Sequence, residues 1–237
     1  MGYGQEKRER GRTNNEISGR SKMITEQVKP ITYPARPFNG GPLDKAIKKD
    51  SGWYYEPKFN GWRTLIHLPT GTMFNRHGKE LSIQHEFKAA VNELQKAYPD
   101  IEWVDCEALG RRHDIGKGTL VVLDAVIRGT YEQRRSKLEV DRLLPLHGAS
   151  LLFTFKSMMP QHGRTVSIDM EPCYLTDSEF GLENAEALWE TMQDTNKVLG
   201  AEYFEGLVAK HADSHYPVQL RSSSDECSFW VKHRWAY

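Results

Sequence analysis

The chain has 237 residues, enough for one substantial core with a small appendage and too few for two full-sized domains. Hydrophobic residues make up 38% of it and mean hydropathy is −0.64; no apolar run approaches the roughly eighteen residues of a bilayer span, which excludes a membrane-crossing segment. Lysine plus arginine (32) equals aspartate plus glutamate (32), so any grip on a polynucleotide requires basic groups gathered on one surface.

Residues 1–29 carry Lys7, Arg8, Arg10, Arg12, Arg20 and Lys22 with almost no large apolar side chain, and are expected to form a mobile polar arm. It reads either as a solubilising leader, Met23 being an equal candidate for the start, or as a grip on polynucleotide. The N-terminus has no apolar secretory segment, and a cytoplasmic or nucleoid setting is expected. Cys106, Cys173 and Cys227 lack the paired spacing of a zinc site or a disulfide framework and are expected to stay reduced.

From residue 53 the pattern is strand-like: WYYEPK (53–58), RTLIHL (63–68) and TMFNR (72–76), with Gly61, Gly71 and Gly78 at the turns, predict antiparallel strands. Phe87, Val91, Leu94 and Tyr98 recur at helical spacing before Pro99, predicting a helix over 84–98. Further strands are predicted at IEWVD (101–105), TLVVLDAVI (119–127), EGLVAK (205–210) and SFWVKHRW (228–235). A second helix is predicted over 184–199, closed by Gly200. Residues 143–175 mix apolar and polar types without a readable period. Strands and helices alternate irregularly, so the predicted class is α+β.

The sharpest feature is Glu56-Pro57-Lys58-Phe59-Asn60-Gly61-Trp62-Arg63, a lysine at a strand end with a glycine turn and an arginine behind it. Alone it is equally an ordinary hairpin. Further along, in order, come Arg76, Asp105-Cys106-Glu107, Leu123-Asp124, the segment EGLVAK with Glu205 and Lys210, and WVKHR with Lys232 and Arg234. Alternate strand residues share a face, so Glu56 with Lys58, Asp105 with Glu107, and Lys232 with Arg234 are presented as pairs. An amine attacks phosphorus only when neutral, and cations such as Arg63, Lys210 and Lys232 nearby would favour that form of Lys58. Gly61 is expected to allow a tight turn and close approach of a nucleotide to the backbone. Trp230 and Trp235 read as packing groups more than as stacking platforms. His211 and His215 stand four apart in a context unlike a metalloprotease helix and read as non-ligands.

With these motifs in this order, the chain from about Pro30 to Arg234 resembles the covalent nucleotidyltransferases, the superfamily of ATP-dependent DNA ligases, RNA ligases and capping enzymes. The stretches YYEPKFNGWR, NRHGKEL, YEQRRSKLE and EGLVAKHADSHY are similar to the DNA ligase branch. The resemblance implies an antiparallel-sheet adenylation domain over 30–237, ATP and Mg2+ as cofactors, and nicked duplex DNA, or RNA, as partner. Lys58 is implied as the nucleophile, Arg63 and Glu107 as ribose contacts, Glu56 as an adenine contact and Arg76 as a phosphate contact. Glu205 matches a metal-linked carboxylate, Lys232 and Arg234 match the basic pair at the α-phosphate, and Lys210 falls among the nucleotide-binding groups. Such roles suit phosphoryl transfer, which needs positioned cations and a divalent metal. This chain departs from the family in having Asn60 where aspartate is usual, and in having only Val121, Val122 and Leu123 where a ring often covers adenine. It also stops at Tyr237, without the OB-fold domain that follows in related ligases. A monomer is expected, and it reads as a minimal enzyme whose partner protein supplies the OB-fold function, as one half of a split protein, or as a domain excised from a longer chain. The alternatives are an RNA ligase or capping-type enzyme, and a nucleotide- or polynucleotide-binding module without catalysis.

Overall fold

The computed structural model describes residues 1, 28–34, 36–41, 43, 52–139, 149–151, 154–161, 164–169, 173–174, 178–218 and 220–235. From 149 to 184 only the backbone of these is described. Nearly all of the N-terminal arm lies outside the described residues.

Two five-stranded sheets form the body. The first has the order β1 (Pro37–Asn39), β12 (Cys227–Arg234), β11 (Phe204–His211), β2 (Trp53–Phe59), β10 (Cys173–Tyr174). The second has the order β4 (Thr72–Phe74), β3 (Trp62–His67), β5 (Trp103–Ala108), β6 (Leu120–Ala125), β7 (Ala149–Leu151). Pairing is antiparallel except at one edge of each sheet, where β1 runs parallel to β12 and β7 parallel to β6. A separate two-stranded ribbon joins β8 (Thr154–Gln161) to β9 (Arg164–Asp169). Four of these strands, β7 to β10, fall in or beside the stretch whose sequence shows no period.

The turn at Asn60 and Gly61 is not the hairpin that its sequence signals. The strands on either side, β2 and β3, belong to different sheets: β2 pairs with β11 and β10, β3 with β4 and β5. The chain crosses from one sheet to the other through two residues, Asn60 and Gly61, just after Lys58. Whatever stands at the ends of β2 and β3 therefore lies at the junction of the sheets.

Each sheet has its own helix. After a 3-10 turn (Gln84–Phe87), α1 (Lys88–Ala97) buries Ala90, Val91, Leu94 and Ala97 against Ile66, Val104, Cys106 and Val122 of the second sheet. Their three- and four-residue spacing is the periodicity seen in the sequence, and α1 stops at Tyr98 because Pro99 disfavours a helical residue before it. Burying a Leu, Val or Phe side chain in this way contributes about 1.5–3 kcal/mol each. Across the first sheet lies α3 (Ser178–Leu199), whose Ala185, Leu188 and Met192 pack with Tyr55, Phe59, Phe204 and Leu207. Gly200, at φ +63°, ends it as expected. The short α2 (Tyr131–Glu139) is not signalled by apolar periodicity, because the side chain it buries most completely is Arg134. Among the described residues no helix is long and apolar enough to cross a membrane.

Candidate active site

Strand alternation divides β2 in two. Trp53, Tyr55 and Phe59 enter the core under α3, so Tyr54, Glu56 and Lys58 face the other way. The register with β11 and β12 continues this face in rows: Lys58 beside Gly206 and Arg234, Glu56 beside Val208 and Lys232, Tyr54 beside Lys210 and Trp230. Three strands distant in sequence thus deliver one surface that carries Lys58, Glu56, Lys210, Lys232 and Arg234.

Glu205 would point into the core if β11 were regular. The register slips between Phe204 and Gly206, and this bulge turns Glu205 onto the Lys58 face. Gly206 makes the bulge possible: it stands at φ +142°, and a β-carbon there would lie 1.9 Å from the carbonyl oxygen of His233. The Lys58 amine donates to Oε1 of Glu205, and Nη2 of Arg234 reaches the same oxygen at 3.2 Å.

The second sheet supplies the opposing wall. Arg63 on β3 stands directly across from Glu107 on β5. Its guanidinium is gripped by both oxygens of fully buried Asp105, which also accepts from the Tyr216 hydroxyl at 2.8 Å. Burial works to lower the pKa of Arg63, and Asp105 and Tyr216 outweigh it, raising it further. Glu107, 9% exposed, accepts from the Gly61 backbone N–H at 3.0 Å. Burial lifts its pKa to about 7, with Lys58, Arg63 and the Gly61 bond pulling the other way. Packing between the sheets requires Gly61, because a β-carbon there would come within 2.6 Å of the Ala108 carbonyl and 2.8 Å of Glu107 Cγ, and Gly61 also lines a cavity with Lys58. Asn60 is explained too: its amide donates to the Glu202 carbonyl at 2.9 Å, which a carboxylate cannot do.

Sequence reasoning missed a buried polar network behind Glu56. Glu56 is 2% exposed; it accepts from the Tyr131 hydroxyl, pairs with Lys210 at 3.0 Å and lies 3.8 Å from Arg135. Lys210 also meets the Leu123 carbonyl at 2.9 Å and Asp124 at 3.4 Å, and sits over the Trp230 ring at 4.5 Å. Asp124 in turn takes two bonds from Arg134, at 2.8 and 3.1 Å, and Arg134 is fully buried. The cations expected near the Lys58 amine line the same cavity, each beside a carboxylate. Arg63 is neutralised by Asp105, Lys210 by Glu56 and Asp124, and Lys58 itself meets a carboxylate. The cation cluster is felt by Lys232, whose pKa is lowered by burial and by Arg36, Arg234 and Lys58, against Glu226. Trp230, 2% exposed and edge-on to Tyr216, is a packing group, and Trp235 packs against Trp189.

One cavity of about 340 Å3 gathers all nine candidates: Glu56, Lys58, Arg63, Arg76, Glu107, Glu205, Lys210, Lys232 and Arg234. Arg76 is exposed at its rim. Eight basic and five acidic side chains line it, so a chain of zero net charge presents a basic cleft. That size and charge suit a nucleoside polyphosphate. Among the described residues no three His, Cys, Asp or Glu side chains cluster as a metal site. Magnesium needs only one or two carboxylates beside phosphate oxygens and water. Glu205, nearly buried and facing the cavity, fits that demand, and its Oε2 makes no hydrogen bond among the described residues.

No family model matches the chain, and no curated protein matches it. Among solved structures, the ligase domain of M. tuberculosis LigD is similar at a TM-score of 0.52 and 17% identity, over 86% of this chain and 59% of that one. The structure named Pmar-Lig_Pre is similar at a TM-score of 0.54 and 18% identity, over 86% of this chain and 47% of that one. The chain thus spans 59% and 47% of the length of the two structures. At such identity the likeness is one of fold: as expected, the chain has the α+β fold of the ligase adenylation domains.

Proposed function

We propose that this chain is the nucleotidyltransferase part of an ATP-dependent polynucleotide ligase acting on nicked DNA, with Lys58 as the residue that takes AMP. The observation that carries this reading is the Lys58 amine, hydrogen-bonded to Glu205 in a basic cavity that nine sequence-selected residues share. To attack, Nζ must first shed a proton, and Oε1 of Glu205 is hydrogen-bonded to it and placed to receive that proton. Nζ then forms a bond to the α-phosphorus of ATP as the bond to pyrophosphate breaks. Arg234 and Lys232, on the same face, offset the charge that spreads over the phosphate oxygens. Glu205 would hold a magnesium ion, which supplies further charge neutralisation on the triphosphate.

In the second step the AMP passes from Lys58 to a 5′-phosphate at a nick, which regenerates the amine. In the third the adjacent 3′-hydroxyl displaces AMP and closes the strand. Arg63 and Glu107 are assigned to the ribose, Arg76 to phosphate, and Glu56, fixed by Lys210 and Tyr131, to the adenine edge. Closure over the nucleotide is assigned to an OB-fold supplied by a further domain or a partner.

The test is label transfer. With ATP labelled at the α-phosphate, the protein should become labelled and then pass the label to a nicked DNA duplex. Transfer from GTP, or to nicked RNA alone, would favour the capping or RNA-ligating enzyme, and ATP binding without label on the protein would favour the non-catalytic module.

A further inference from the structure

Trp62, at the start of β3, is 42% exposed, a large ring left to water four residues after Lys58. One face of it is occupied by the guanidinium of Arg111, 5.1 Å from the ring centre. Arg111 is held in turn by both oxygens of Glu86, at 2.9 and 3.0 Å. The ring is therefore braced from one side by a neutralised pair. Trp62 makes no contact with another aromatic ring among the described residues, and an exposed, immobilised indole is a ready stacking surface.

Next along the β5–β6 connection is Arg112, which is exposed. Its Nε donates to the carbonyl of Gly61 at 3.1 Å, which tethers it beside Trp62. Its two terminal nitrogens make no hydrogen bond among the described residues, so a guanidinium with a fixed stem presents an unused pair of donors. Arg112 lines the Lys58 cavity, and Trp62 does not. A ligand that meets both must start inside the cavity and leave over its rim, as a strand with a terminal phosphate would and a mononucleotide held at Lys58 would not.

We propose that Arg112 and Trp62 form the acceptor subsite, Arg112 receiving the 5′-phosphate of a polynucleotide and Trp62 stacking its terminal base. This rests on the ligase reading and adds two residues to it. The experiment is equilibrium binding of fluorescent nicked duplexes, carrying either a 5′-phosphate or a 5′-hydroxyl at the nick, to the full chain and its variants. Wild type should prefer the phosphate by about tenfold, R112A should bind both duplexes alike, and R112K should keep part of the preference. W62A should weaken both duplexes by about tenfold, and W62F should restore most of that. Because the phosphate preference is a ratio within one protein, partial misfolding of a variant does not alter it. Absence of a preference in wild type, or a wild-type preference in R112A, overturns the subsite. Label transfer from ATP to wild-type protein without polynucleotide is measured alongside: its absence overturns the ligase reading, whereas its presence with an unchanged R112A ratio overturns only the subsite.

Discussion

Lys58 and Glu205 meet amine to carboxylate although the regular course of β11 would turn them apart, and the meeting depends on one bulge. The carboxylate fixes the amine and, in the proposed reaction, accepts its proton. Glu205→Gln keeps the shape and removes both the charge and the proton acceptor. Self-adenylation is expected to slow by about 100-fold, in the range found when a positioned polar group is lost from a reacting centre. Single-turnover labelling with ATP measures it, and a rate within threefold of wild type would contradict the role.

Gly206 holds the bulge in place. Gly206→Ala would combine a strained φ with a β-carbon 1.9 Å from the His233 carbonyl oxygen, where the obstacle is backbone and cannot swing away. The expected cost is about 3 kcal/mol, from left-handed strain plus overpacking. Urea unfolding reads it directly. A variant as stable as wild type would mean that β11 has a regular register in solution.

Glu107 gives a pH dependence of definite sign. Its carboxyl has a pKa of about 7 in the folded chain against 4.5 ordinarily, because burial disfavours the charge. The folded chain therefore holds this proton more tightly than the unfolded one. Its contribution to stability is full below 4.5 and is lost as pH rises through 7, about 3 kcal/mol over the interval. Glu107→Gln, neutral throughout, lacks this loss. The stability of E107Q relative to wild type should climb between pH 4.5 and 7 and level off above, measured as urea midpoints; a difference that stays flat with pH would show Glu107 to be solvated.

Much of the site was legible because strand alternation is a local rule. The pairs Glu56 with Lys58 and Lys232 with Arg234 each lie on one face, as the spacing requires. Longer-range features left no such trace. A glycine turn looks the same whether β2 and β3 pair or part, so the crossing between sheets at Asn60 and Gly61 appears only in the register. The face that α2 buries carries Tyr131, Arg134 and Leu138 at helical spacing, but its buried centre is an arginine paired with Asp124. A search for apolar periodicity passes over it. Of the cations expected near the Lys58 amine, Arg63 and Lys210 are matched by Asp105, Glu56 and Asp124, carboxylates that come from other strands.

The covalent chemistry proposed for Lys58 is tested most directly by intact mass after incubation with ATP and magnesium, followed by peptide mapping of any adduct. The expected result is a gain of one AMP per chain, carried on the peptide that contains Lys58 and absent from Lys58→Ala. No gain in wild-type protein incubated with ATP and magnesium, or an adduct on another residue, would contradict it.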